Sequence, residues 1–264
     1  MSRRLLAPFC ALLLVGCEDA GTLTDLNLFT VDDDIELGQQ LADEIAANPD
    51  EYGVILDRTE YAEAYSHLDR IRDALLDTGK VQYDDKFAWE THIIDDDETL
   101  NAFCAPGGFI YVYTGLIRYL EVEDHFAGVM GHEIAHAANR HSTEQMTKAY
   151  GLTTLLDVVA GGNSGLAGDL ATGFVGLEFS REDEAEADEY SVRYLCETDY
   201  AGNGTAGFFE KLTAEGGAEI PEFLSTHPSS DSRIEDINAS ARAKGCDLTL
   251  NPNAQWDAFV ASLP

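Results

Sequence analysis

Residues 128–141 read GVMGHEIAHAANRH, with His132 and His136 four residues apart and Glu133 directly after the first. On an α-helix, residues four apart stand one turn above each other, so two imidazole nitrogens can face one cation from a single face. Glu133 projects from the flank of that face, where it can reach a cation-bound water without binding the cation itself. A helix that merely carries solvated histidines would show the same five residues, so the motif needs support from elsewhere. A catalytic zinc takes three protein ligands and keeps one position open. About fifty residues on, SREDEAEADEYS offers Glu184 and Asp188, again four apart. With both turned inward, Glu184 is the expected third ligand. Asp188 is then an outer carboxylate that accepts a hydrogen bond from a ligand histidine and fixes its tautomer. Glu182, Asp183, Glu186 and Glu189 are expected to be solvated, and a plain surface acid is the alternative for Asp188.

Helices must position these groups. Residues 121–140 read as the helix carrying the histidines, with Val122, Phe126, Val129, Met130 and Ala137 on one face, and 181–196 as the helix carrying the acids. Upstream, order is expected from Asp34, where Leu37, Leu41 and Ile45 repeat at helical spacing behind an Asp cap and Asn48-Pro49 ends the pattern. Tyr61, Tyr65, Leu68, Ile71 and Leu75 predict a second amphipathic helix over 58–78, closed by Gly79. The period then changes. FAWETHII (87–94) and GGFIYVYTG (107–115) alternate and are rich in aromatic and β-branched residues, which predicts two strands of a small sheet. Between Thr143 and Phe179 a helix precedes AGGNSGLAGDLATG, whose glycines predict a loop over 161–173, either a cover for a cleft or a loose connection. Its fragment GGNSGLAG lacks the Gly-Lys-Ser/Thr ending of a phosphate-binding loop. The fold class expected is α+β, predominantly helical.

The first residues bear on location. MSRRLLAPFCALLLVGC has Arg3 and Arg4, an apolar run too short to span a bilayer and a small residue before Cys17, and reads as a removable signal segment over 1–16. Leu14-Val15-Gly16-Cys17 resembles a bacterial lipobox, which makes Cys17 the expected site of lipidation; a plain secretory signal is the alternative. Residues 17–33 read as a tether, 34–250 as one domain and 251–264 as a tail. Later in the chain no run of apolar residues is long enough to cross a membrane. The formal charge is −33, or −35 once Arg3 and Arg4 are lost (−33 − 2), and such a field repels nucleic acid. Of the remaining cysteines, Cys196 and Cys246 form the candidate disulfide of an oxidising compartment, and Cys104 lies in an apolar stretch as a buried thiol.

His132-Glu133-Ile134-Ala135-His136 followed by Glu184-Ala185-Glu186-Ala187-Asp188 resembles the zinc metallopeptidases of the HtpX-like and CAAX-prenyl-protease type. NAFCAPGGFIYVYTGLI (101–117) is similar to that family's segment before the zinc helix, STHPSSDSRIEDI (225–237) to its His-Pro…Arg segment, and IELGQQLADEI to its opening helix. The resemblance covers roughly 34–240. It implies a compact zincin-like metallopeptidase domain in which a small sheet flanks the active-site helix, its edge strand beside the cleft. It also implies one Zn²⁺ per chain, and places His227 and Arg233 near the active site as catalytic groups that steady an oxyanion or the substrate. His141 falls outside the ligand set and reads as a structural histidine.

Together these features predict a zinc-dependent endopeptidase in which Glu133 is the general base, acting on unfolded or damaged proteins of the cell envelope. The enzyme is expected to be lipid-anchored to a bacterial membrane and to face the periplasm or exterior. The peptide is expected to pair with FIYVY as an added strand. The alternative is a non-catalytic, zinc-containing chaperone or adaptor lipoprotein. A thiol hydrolase built on Cys104 lacks any local signature around that cysteine.

Overall fold

The computed structural model describes residues 27, 29–160, 164–214, 221–227, 232–251 and 254–264. The expected signal segment, Cys17 and the tether as far as residue 26 lie outside these. The elements are α1 (Val31–Ala47), α2 (Pro49–Tyr52), β1 (Val54–Ile55), α3 (Ala62–Leu76), β2 (Glu90–Asp95), β3 (Ala102–Ala105) and β4 (Phe109–Tyr113). They continue with α4 (Thr114–Tyr119), α5 (Glu123–Ala138), α6 (His141–Tyr150), α7 (Leu152–Val159), α8 (Ser164–Val175) and α9 (Arg181–Leu195). The chain closes with α10 (Gly204–Ala214), α11 (Pro221–Thr226), α12 (Arg233–Lys244) and α13 (Ala254–Ala261). Helix α1 starts earlier than its apolar pattern indicates. Thr30, not an aspartate, is its cap: the Thr30 hydroxyl accepts from the Asp33 amide at 3.1 Å, and the Asp33 carboxylate accepts from the Thr30 amide at 2.8 Å. Asp32, Asp33 and Asp34 then occupy the first turn, where the helix dipole favours negative charge.

The sheet has four strands in the order β1-β2-β4-β3, with β2 and β4 parallel and the other pairs antiparallel. Pro106-Gly107-Gly108 joins β3 to β4, and both glycines have positive φ (73° and 87°), which a side chain would resist. The expected strand at 87–94 begins only at Glu90, and β3 was hidden in the sequence because four residues of AFCA carry too little alternation to register. One expectation is overturned here. FIYVY is not an edge: β4 is paired on one side with β2 and on the other with β3, so its backbone groups are already taken. The outer strands are β1 and β3, and of the two it is β3 that packs beside α5.

Helices cover both faces. Ile110, Val112, Ile93 and Cys104 point into one apolar cluster with α3, α5, α9 and α10, whereas Phe109, Tyr111, Tyr113, Ile94 and Phe103 point into another with α1, α7 and α8. A strand buried on both faces loses the polar half of its alternation, as every residue of β4 shows. Helix α5 is buried nearly all round, because the sheet, α9 and α10 surround it. Gly128 makes this possible: a Cβ there would overlap the backbone of Gly204 and Thr205 on α10. The glycine-rich stretch expected as a loop over 161–173 is helical from Ser164 onward, and residues 161–163 lie outside the described set. Leu170, Ala171 and Phe174 of α8 are buried in the second cluster. Gly173 is small because the Tyr150 hydroxyl occupies the space of its Cβ, so it allows close packing and not mobility.

Candidate metal centre and active site

Helix α5 delivers His132 and His136 to one point, as their spacing predicts. Helix α9 delivers Glu184 because its start is pinned: the Ser180 hydroxyl accepts from the Asp183 amide at 3.1 Å and the Asp183 carboxylate from the Ser180 amide at 3.0 Å. Asp183, expected in solvent, is therefore a buried cap, while Glu182 and Glu186 are exposed. The fourth member is His227, just past the end of α11. His132 Nε2 lies 3.0 Å from His136 Nε2 and 3.4 Å from His227 Nδ1, while Glu184 Oε1 lies 3.3 Å from His136 Nε2 and 2.9 Å from His227 Nδ1. These four side chains are buried, and one donor atom from each lies within 4.8 Å of the rest.

A tetrahedron with arms of about 2.0–2.1 Å, the zinc–nitrogen and zinc–oxygen lengths, has edges of roughly 3.3–3.4 Å. Donor separations of 2.9–3.4 Å fit such an ion, and three imidazole nitrogens with one carboxylate oxygen are the donor types zinc prefers. The chain thus fits one zinc ion. Glu133 Oε1 sits beside the cluster, 3.5 Å from His227 Nε2, buried and without a hydrogen bond. Burial disfavours the charged form of His136 and keeps the imidazole neutral, as a ligand must be. It acts against the charge on Glu184 as well, but His227 and His132 outweigh it and hold that carboxyl far below its ordinary range. Burial opposes a charged His132 in the same way, yet Glu184 and Asp188 raise it to about 9, so the cluster calls for positive charge at its centre. Burial lifts the Glu133 carboxyl above its usual value.

The surroundings fix the donors. Asp188 Oδ1 lies 2.9 Å from His132 Nδ1, on the far side of the ring from the cluster. Arg233, expected near the active site to steady an oxyanion or the substrate, does lie at the cluster, with its nitrogens turned to carboxylates: Nε and Nη2 donate to the two Asp188 oxygens at 2.6 and 2.9 Å, and Nη1 lies 2.7 Å from Glu184 Oε2. Its planar fork suits two carboxylates on one helix face better than an oxyanion. His227, likewise expected to steady an oxyanion, has Nδ1 in the donor set. Phe179, unremarked in the sequence, stacks on His136 at 3.9 Å between ring centres, and its amide donates to the Thr226 carbonyl at 3.1 Å. No motif marks it; only the fold brings it there. Cys196 and Cys246 are joined, Cα to Cα 4.9 Å, and tie the end of α9 to the end of α12, while Cys104 is a buried free thiol.

The family model for peptidase family M48 matches residues 62–241, which spans both helices of the cluster as well as His227 and Arg233. The chain belongs to peptidase family M48. Among this M48 chain's relatives are the mitochondrial metalloendopeptidase OMA1 of Saccharomyces cerevisiae, 32% identical over 58% of this chain and 47% of the relative, and the metalloprotease YcaL of Escherichia coli, 31% identical over 52% and 57%. The beta-barrel assembly-enhancing protease of Escherichia coli is 33% identical over 56% of this chain and 34% of its own length. The M48 chain thus aligns with between a third and three fifths of the length of these relatives.

Proposed function

We propose that this M48 chain is a zinc endopeptidase of the cell envelope that cleaves unfolded or damaged proteins. The observation that carries the reading is a buried cluster of His132, His136, Glu184 and His227 with Glu133 Oε1, which has no hydrogen-bond partner, at its side. A purely structural site has no use for such a carboxylate. When bound there, zinc supplies a Lewis acid that lowers the pKa of water to about 7. The protein's own groups do the rest. His132, His136 and Glu184 hold the ion, Asp188 and Arg233 keep His132 and Glu184 in place, and Glu133 takes a proton from the attacking water and returns it to the leaving amine. Backbone recognition moves one strand outward from FIYVY, to β3, which runs beside α5.

The structure is of a closed form. His132, Glu133, His136, Glu184 and His227 are at most 2% exposed, with Phe179 and the 223–227 segment lying over them. Substrate entry requires Phe179 and His227 to move away, which would free the fourth position. The same four-donor closure favours a second reading, the non-catalytic zinc-containing adaptor, since structural sites are fully ligated. Two variants separate the readings. Glu133→Gln is expected to keep its zinc and lose casein cleavage; cleavage at the wild-type rate would rule out Glu133 as the base. His227→Ala is expected to keep zinc on three ligands and to cleave faster, whereas no cleavage by either wild type or this variant would favour the adaptor.

The envelope location rests on the relatives of assembly-enhancing type and on the signal-like 1–16 segment, with Cys17 proposed as the lipid anchor. Among the described residues no helix is long and apolar enough to cross a membrane. Labelled palmitate should enter the wild type and not Cys17→Ala.

A further inference from the structure

His136 is a proposed ligand through Nε2, so its Nδ1 carries the hydrogen and needs an acceptor. Elsewhere in this site that acceptor is a carboxylate, as Asp188 is for His132. For His136 it is a third imidazole: His141 Nδ1 lies 3.0 Å from His136 Nδ1, with the rings near edge-to-face at 74°. His141 is 3% exposed, and its Nε2 lies 3.4 Å from the Glu186 carboxylate, which reaches solvent at 51% exposure. Only one set of tautomers satisfies the row. With hydrogen on His136 Nδ1, His141 must accept at Nδ1, carry its own hydrogen on Nε2 and donate to Glu186.

We propose that His141, braced by Glu186, is the positioning residue that sets the tautomer and ring orientation of His136 as a zinc ligand. This deepens the metallopeptidase reading and depends on it. A continuous helix cannot make the contact: five residues on is about 500° of rotation, which puts the side chain well away from His136. The chain breaks its helix for it. Arg140 adopts a left-handed conformation (φ 64°, ψ 28°), which turns α6 back and sets its first residue, His141, against His136. Asp34 accepts from Arg140 Nε, and the Phe29 and Thr30 carbonyls accept from its Nη2, so the turn is held from α1 and the residues before it. A left-handed residue other than glycine is uncommon, and these bonds hold this one.

The test is zinc affinity, measured on the full chain by competition with a chromophoric chelator. His141→Leu keeps bulk but cannot accept, and is expected to bind zinc about 10–100-fold more weakly, the usual loss when the outer partner of a ligand histidine is removed. His141→Asn places an amide oxygen where Nδ1 was and is expected to recover affinity to within about threefold of wild type. Glu186→Lys, on an exposed side chain that does not threaten folding, presents a donor to His141 Nε2 and favours the wrong tautomer. About tenfold weaker binding is expected there, against less than about twofold for Glu182→Lys, the same charge change one turn earlier on α9. Wild-type affinity in His141→Leu, equal weakness in Leu and Asn, or equal effects of the two lysine variants would overturn the proposal. Should wild type itself bind no zinc, the metallopeptidase reading fails first, and this inference with it.

Discussion

Arg233 is 4% exposed and holds carboxylates on two turns of one helix, Asp188 by a two-point fork and Glu184 by its remaining nitrogen. Removing one partner of a buried ion pair leaves charge with no counter-ion, at a cost of about 3–5 kcal/mol. Arg233→Leu is therefore expected to lower the urea midpoint of metal-free protein by that equivalent. Arg233→Lys should recover only part of it, since an ammonium cannot make the fork. A Leu variant as stable as wild type would show that Asp188 finds another cation. That His132 and His136 share one helix face and Glu184 and Asp188 another was legible in spacing, because four-residue repeats on helices translate directly into shared faces, whereas the meeting of the two faces rested on the family resemblance. The roles of His141, His227 and Phe179 were not, since each reaches the cluster through a chain reversal that no periodicity encodes.

At the scale of elements, α5 packs against α9 and α10, and Gly128 lets the backbone of α10 come close. Gly128→Ala is expected to destabilise by about 1–3 kcal/mol or more, read as a drop in melting temperature, because the opposing atoms are backbone and cannot swing aside. Gly176→Ala, with nothing near its Cβ, is expected to stay within about 0.5 kcal/mol of wild type. The disulfide closes a separation of 50 residues between the ends of α9 and α12. By chain entropy it contributes about 4 kcal/mol, so Cys196→Ser should unfold at clearly lower urea than wild type under non-reducing conditions. The positions of α1, α3, α5 and α9 were readable to within a few residues. The glycines at 168 and 173 were misread because a glycine needed for a close approach and one needed for a turn look the same in sequence.

For the molecule as a whole, zinc would bridge α5, α9 and the segment after α11, elements that only the fold brings together. A ligand held by the native state alone stabilises it by mass action, about 2.7 kcal/mol at a hundredfold excess over Kd. Stripping with EDTA should therefore lower the melting temperature and abolish cleavage, and added zinc should restore both. If the melting curve does not move, the cluster is not bound to metal in the native protein. The high negative charge leaves this core untouched, since among the described residues most acids stand in solvent and the buried ones are hydrogen-bonded, ion-paired, in the cluster or, as Glu133 is, beside it.

Local order alone determined which side chains share a helix face, and hence the pairing of His132 with His136, Glu133 on their flank and Glu184 with Asp188. Composition and charge set aside nucleic acid as a partner. What the tertiary structure decided was everything depending on contacts between distant segments: that FIYVY is an inner strand, which carboxylates Arg233 holds, that His227 joins the cluster and that His141 lies against His136. Periodicity is a property of neighbours along a chain, whereas these contacts depend on how buried layers pack, and one left-handed residue at 140 was enough to redirect a histidine into the site.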